Sequence, residues 1–323
     1  MKASSRIRSM LGAVRGRIAR DKRLGGALGV VDACEEFFFT PAASTQGGTH
    51  IRQRGNIQSH FAILFIALLP CILLNIYRAG GHYIAAFVIN IAAVMLTTVA
   101  SAVALKRKPS PGGWYLGALF SIVFPFLALP VWCAIPAAIF AVFIGQEIFG
   151  GTGRNIWHPA LILWGFLYLS YPDRVGYIFP EKIFWPFQAA VLIGSVWLLI
   201  NRRLNLRILA GTLLGAMVAG IAFALFKSPS GGFAAGCLQP LMGDLLFGTV
   251  FIACDPVTSC QSPQGKWIYG ASIGILAVSL RALAPGCGDG TYPAILLMNT
   301  FAPLIDKAVI STTAWYRNKH AHR

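Results

Sequence analysis

Downstream of residue 60 the chain alternates long apolar runs with short polar breaks, the runs falling near 61–78, 83–105, 114–130, 131–149, 158–172, 184–200, 205–226, 240–254, 267–284 and 292–310. A helix needs about 20 apolar residues to cross the hydrocarbon core of a bilayer, and several of these runs are that long. The third, fifth and eighth are short or interrupted by Pro125, Pro130 or Pro256. Interrupted backbone is tolerated at membrane depth only where protein buries it or where it lines a cavity. The pattern therefore predicts an all-α membrane protein of about ten transmembrane helices, some of them broken, with polar chemistry at the third and eighth.

Composition agrees, with 56% hydrophobic and 12% charged residues among 323 and a mean hydropathy of +0.65, far too apolar for a water-soluble domain of this size. The net charge of +16 does not point to nucleic acid, because the basic residues sit in the N-terminal arm, in short loops and at the C-terminus. That distribution follows the rule that cytoplasmic loops are rich in Lys and Arg. If the basic N-terminus is inside, Lys106-Arg107-Lys108, Arg154, Arg202-Arg203 with Arg207, Lys266 and the tail with Arg317, Lys319 and Arg323 fall on the same side. The expectation is a multi-pass membrane protein with both termini cytoplasmic. Residues 1–59 form a basic cytoplasmic segment in which Arg6, Arg8, Arg15 and Arg17 alternate with Met10, Leu11, Val14 and Ile18. This reads as an amphipathic helix on anionic lipid, with a transit peptide as the runner-up. Residues 60–310 are the transmembrane domain and 311–323 a basic tail.

A weak internal repeat accompanies the spans. Gly117-Ala118-Leu119-Phe120, Val123-Phe124 and Pro130-Val131 are echoed by Gly243 to Phe247, Val250-Phe251 and Pro256-Val257. Gly151, Gly153 and Pro159-Ala160-Leu161 are echoed by Gly286, Gly288 and Pro293-Ala294 with Leu296, the two sets being offset by about 127 and 135 residues. Repeats over 60–172 and 184–310 hold five spans each, an odd number that inverts the second half relative to the first, as in many transporters.

After the N-terminal region, the acids in or beside the spans are Glu147, Asp244, Asp255 and Asp306, and an ionised carboxylate in hydrocarbon requires a partner or water. Asp255-Pro256-Val257-Thr258-Ser259 breaks the eighth span, so Asp255 and Thr258 are candidates for handling an ion or proton, with loop capping as the structural alternative. Glu147 joins them as an ion-pathway candidate one helical turn before the next motif. Asp306 beside Lys307 reads as an interfacial pair. Gly150, Gly151, Thr152, Gly153, Arg154 and Asn155 link two spans. The glycines allow a nest of amide donors, Arg154 adds charge and Asn155 offers a bidentate amide, a set that suits a phosphate or the rim of a flavin or quinone ring. A plain glycine-rich turn is the alternative, for the spacing is neither a dinucleotide fingerprint nor a P-loop. The seven cysteines are scattered without metal-ligand spacing, so they read as buried small residues, and neither a metal cluster nor a catalytic nucleophile is expected.

These motifs resemble those of a known family, the one containing NqrB of the sodium-pumping NADH:quinone oxidoreductase and RnfD of the ferredoxin:NAD oxidoreductase. Glu147 through Asn155 followed by Pro159-Ala160-Leu161 and Tyr171-Pro172 is similar to its central signature. Asp255-Pro256-Val257 with Gly265 to Gly270 and Ile273-Gly274 resembles the second, and Asn299 through Asp306 the C-terminal one. Phe39-Thr40-Pro41, His50-Ile51-Arg52 and Tyr77 to Gly81 look more like NqrB than RnfD. The resemblance implies a ten-helix subunit working with the other subunits of an Nqr- or Rnf-like complex, in which flavin relays electrons and redox steps drive Na⁺ or H⁺. Family members carry FMN esterified to the threonine of a Ser-Gly-Ala-Thr motif. That motif is absent here, so the flavin expected, FMN or riboflavin, is held non-covalently near Asn155. Where the family commonly has asparagine before Pro159, this chain has His158, which can also hydrogen-bond a flavin. Quinone is a further ligand the resemblance brings, although the glycine pair near the family's quinone site maps near Leu96-Thr97. The competing readings are a redox-inactive ion-conducting or scaffold homologue, and a solute channel of the urea-transporter kind. Substrate oxidation itself would fall to partner subunits.

Overall fold

The computed structural model describes residues 57–107, 109–175, 181–227, 236–284 and 289–321, which are helical and without strands. The basic arm before residue 57, the Phe39-Thr40-Pro41 and His50-Ile51-Arg52 motifs, Lys108, Gly286, Gly288 and Arg323 lie outside the described residues. The helices are α1 (Ile57–Ala79), α2 (Gly81–Ala104), α3 (Gly113–Val123), α4 (Ala134–Val142), α5 (Pro159–Ser170), the single turn α6 (Pro172–Val175), α7 (Glu181–Ile200), α8 (Leu206–Lys227), the short α9 (Leu245–Gly248), α10 (Pro263–Leu283) and α11 (Thr291–Ala321).

Four stretches, Ser59–Ala79, Gly81–Ala104, Leu206–Phe226 and Thr291–Trp315, are long and apolar enough to cross a membrane, yet within each an apolar segment of 18 residues is only 28 to 39% buried. Apolar side chains such as Tyr77, Leu96, Leu169 and Phe226 stand outward, an arrangement stable only in an apolar solvent. The protein is a multi-pass membrane protein. Gly113–Val123, Val131–Glu147, Pro159–Ser170 and Trp185–Ile200 are shorter apolar helices.

The helix ends follow from local sequence. Pro125 excludes Phe124 from the helical region, and Phe124 is extended, with φ −68° and ψ 126°, so α3 stops there. One carbonyl left by the break, that of Phe126, accepts from His82 Nε2 at 2.8 Å. Proline occupies the first turn of both α5 and α10, where its missing N–H costs nothing. Each start is capped by the preceding side chain: His158 Nδ1 accepts from Ala160 N, and Ser262 Oγ from Gly265 N.

Packing is closest between α8 and α10. Gly211 and Gly215 on α8 face Gly270 and Gly274 on α10, and a Cβ at Gly270 would lie 2.5 Å from the Ile208 carbonyl oxygen. Two small-xxx-small stripes thus meet, the arrangement that lets helices approach in lipid. Elsewhere α2 packs on α3 and α4, α4 on α5, α10 on α11, and α1 on α7.

Two π-helical turns interrupt this regularity, Phe143–Glu147 after α4 and Thr249–Ala253 after α9. Each closes with an i to i−5 bond, from Ile148 N to Phe143 O and from Cys254 N to Thr249 O, both 3.0 Å. Such turns are rare and often mark functional sites. Here both lead directly into the loops described next.

Candidate functional site

Four loops converge at one end of the bundle. The glycine-rich loop adopts backbone that side chains resist, with φ of 107°, 101° and 92° at Gly150, Gly151 and Gly153. A Cβ on Gly151 would also lie 2.6 Å from Ser110 Oγ, so a side chain there would strain the backbone and push that hydroxyl aside.

Glu147 fastens that loop to the α2–α3 connection. It is buried, paired with Arg107, and accepts from Ser110 Oγ at 3.0 Å. Its neighbour Gln146 donates to Thr152 Oγ1 at 3.0 Å, and Thr152 Oγ1 in turn donates to Pro111 O at 3.0 Å. Glu147, a candidate for an ion path, has its charge paired with Arg107 and does not line the cavity described next.

Between these loops and the segment following α9 lies a cavity of about 230 Å³. Phe61, Tyr115 and Phe251 form apolar walls, while Gln146, Asn155, His158 and Asp255 supply polar groups. The structure thus brings together Thr152, Gly153, Asn155 and His158 from one signature and Asp255 from another, about a hundred residues apart in sequence. Gly150, Gly151 and Arg154 do not line it, and Arg154 is solvent-exposed with its side chain folded over Gly150.

The polar groups are aimed by short-range bonds. Asn155 Nδ2 donates to Trp157 O at 3.3 Å, leaving its side-chain oxygen as an acceptor. His158 is buried, and since Nδ1 accepts the Ala160 amide at 3.2 Å, the neutral ring carries its proton on Nε2. Asp255 Oδ2 accepts from Thr258 N at 3.3 Å and Thr258 Oγ1 at 3.2 Å. Thr258 is therefore buried support for Asp255, outside the cavity lining.

Asp306 also departs from the sequence reading. It does not pair with Lys307; it accepts from Gln261 N at 2.7 Å and Ser262 N at 2.9 Å, and so holds the start of α10. Tyr269 and Asn299, both in signature segments, bond one another at 2.5 Å between α10 and α11.

A second polar cluster, not recognised from sequence as a unit, surrounds Asp289. Arg281 donates to Asp289 Oδ1 at 2.6 Å, to Gln239 Oε1 at 3.0 Å and to Met242 O at 3.0 Å. Asp289 Oδ2 accepts from Asp244 N at 2.9 Å. Burial raises the Asp289 carboxyl above the ordinary range, while Arg281 opposes the shift. The available signal was the charge pair itself, Arg281 at the end of one span and Asp289 just before the next. Asp244 needed the fold to join them.

The sequence matches the family described as "NQR2, RnfD, RnfE family" over residues 44–185 and 175–314. It is 25% identical to the B-type subunit of the Na(+)-translocating NADH-quinone reductase of Yersinia pestis, over 86% of this chain and 91% of that one. It is 30% identical to the corresponding subunit of Pseudomonas aeruginosa strain PAO1, over 64% of this chain and 61% of the relative. For the counterpart in Chromohalobacter salexigens the identity is 23%, over 89% and 90% of the two chains. The chain belongs to the NQR2, RnfD, RnfE family.

Proposed function

We propose that this chain is the B-type membrane subunit of an Nqr-like complex, holding a flavin non-covalently in the cavity between the glycine-rich loop and the Asp255 turn and coupling its redox state to movement of Na⁺ or H⁺. The observation that carries the reading is the convergence of two separate signatures on one cavity. Aromatic walls with a few directed polar groups are what a planar ring with hydrogen-bonding edges requires. Asn155 presents an acceptor and His158 an N–H donor, and Gln146 lies on the same wall. A bound flavin would supply one- and two-electron chemistry. The residues of this chain orient the ring and exclude water, and Asp255 places a carboxylate in the same chamber for the ion.

The ten-helix reading with two inverted halves is supported by matching packing. With α6 set aside, α1–α5 and α7–α11 correspond in order, and the contacts of α2 with α4 and of α4 with α5 have counterparts in α8 with α10 and α10 with α11. The loops bearing Arg107, Arg203 and Lys266 gather at the cavity end, and Arg281 with Asp289 at a different set of loops. This favours a cytoplasmic cavity and cytoplasmic termini in a bacterial inner membrane, with the other complex subunits and lipid around the bundle. Quinone and the choice of NADH or ferredoxin as donor are left to those partners. The scaffold and solute-channel readings give no comparable role to aromatic walls with a few directed polar groups.

The test is an optical spectrum of the intact complex before and after acid precipitation. Flavin absorbance that moves entirely to the acid-soluble fraction, and that a chain carrying Asn155→Leu with His158→Leu fails to retain, is the expected result. Absence of flavin from both fractions rules the electron-relay reading out and leaves an ion path or scaffold.

A further inference from the structure

A second chamber adjoins the first, with a volume of about 470 Å³. His60, Arg203, Cys254 and Pro256 line both, so the two share a wall. Arg202, Arg203, Arg207 and Lys266 converge on it, and its lining holds no carboxylate. Among the described residues none of these four cations is in an ion pair. The 22-residue helix α8 begins here, with Asn205 and Leu206 on the lining, so its first amides lie at the chamber wall. Arg202 holds φ +54°, a left-handed conformation that non-glycine residues adopt only against strain.

The preference for basic residues on the cytoplasmic side explains the sign of these charges but not their convergence. Arg154 and Lys106 satisfy the same preference and line neither chamber. Asp255, which shares the first chamber with Arg203, and Asp306, whose charge acts with Lys266, offset these four cations only in part, and the remaining positive charge and a helix N-terminus favour an anionic occupant. The first chamber alone is smaller than the ~300–1,000 Å³ of ordinary small-molecule sites, so a ligand as long as a flavin mononucleotide seated there has to reach past the shared residues into the adjoining chamber.

We propose that the basic chamber is a phosphate-binding subsite of the cavity, receiving the terminal phosphate of a flavin mononucleotide whose ring lies in the first chamber. This inference rests on the flavin reading for its source of phosphate; an anionic phospholipid headgroup offers the same chemistry from the bilayer. Arg203, on the shared wall, and Lys266 are the principal contacts, with Arg202 and Arg207 at the exposed rim.

The experiment strips the full chain, in its purified complex, of flavin and titrates it with FMN and with riboflavin. In parallel the protein is placed in phosphatidylcholine nanodiscs with and without phosphatidylglycerol, and retained lipid is read by native mass spectrometry. Wild type should bind FMN about tenfold or more tighter than riboflavin. The double variant Arg207→Gln, Lys266→Gln, at residues that line the basic chamber and not the first, should lose most of that preference while keeping riboflavin affinity within about twofold. Should neither flavin bind while phosphatidylglycerol is retained by wild type and lost by the double variant, the phosphate site stands with lipid as its source and the flavin reading falls. Equal affinity for the two flavins, unchanged in the variant and without lipid selectivity, overturns the phosphate site and leaves the flavin reading intact. Failure to bind flavin or retain phosphatidylglycerol overturns both.

Discussion

His158 shows how one side chain serves fold and site together. Its Nδ1 caps α5 by accepting the Ala160 amide, and the same ring is part of the cavity wall. Asparagine, which the family resemblance places at this position, would do the equivalent with its carbonyl oxygen as cap and its NH₂ as donor. The replacement therefore preserves the hydrogen-bonding function although it changes size and aromaticity. His158→Asn should keep the flavin, with affinity within a few-fold of wild type. His158→Leu removes both roles, and loss of a buried hydrogen bond worth about 1–3 kcal/mol corresponds to roughly five- to 150-fold weaker binding. Flavin titration of both variants checks this, and equal retention by His158→Leu would remove the residue from the site.

At the scale of elements, the α8–α10 contact is set by backbone approach. Gly215 and Gly274 leave no room for a Cβ, since one on Gly274 would lie 2.5 Å from Ala216 N. Gly274→Val should force the helices apart and cost about 1–3 kcal/mol or more, whereas a change at the neighbouring exposed position, Ile275→Val, should be nearly silent. Recovery of monodisperse protein from detergent after a heating series would show the difference. The lipid-facing pattern and the proline breaks were legible in the sequence because hydropathy and backbone restriction are local. Gly270 and Gly274 were visible as signature residues, but their partners Gly211 and Gly215 were not, because helix pairing is non-local. The two π-turns were equally hidden: Phe143 to Glu147 and Thr249 to Ala253 carry ordinary helical sequence, and only the bond pattern distinguishes them.

For the whole molecule, the same distinction governs the site. The glycine-rich loop and the Asp255 turn could each be picked out as chemistry-bearing, yet nothing in the chain says that they face one chamber. Nor does the sequence say that Glu147 is spent on Arg107 or Asp306 on the start of α10, because both partners lie far along the chain. With Glu147 paired and Asp306 holding the 261–262 amides, Asp255 is the remaining one of these three candidate acids that lines the cavity. Its Oδ2 is engaged within its own turn, by the amide and hydroxyl of Thr258. On the proposed reading, an ion reaching the chamber would meet a carboxylate close to the proposed flavin, and a change in that group's charge would act on the ion through a region of low dielectric. Asp255→Asn keeps the acceptor oxygen that the turn needs while removing the charge. Assembly and flavin content should stay within about twofold of wild type, and the cation concentration for half-maximal redox activity should rise about tenfold or more. Redox assays across a Na⁺ series at fixed pH, and across pH at fixed Na⁺, measure this directly. An unchanged response to both cations would place the ion path elsewhere, and the buried Asp244–Asp289–Arg281 cluster would become the next place to look.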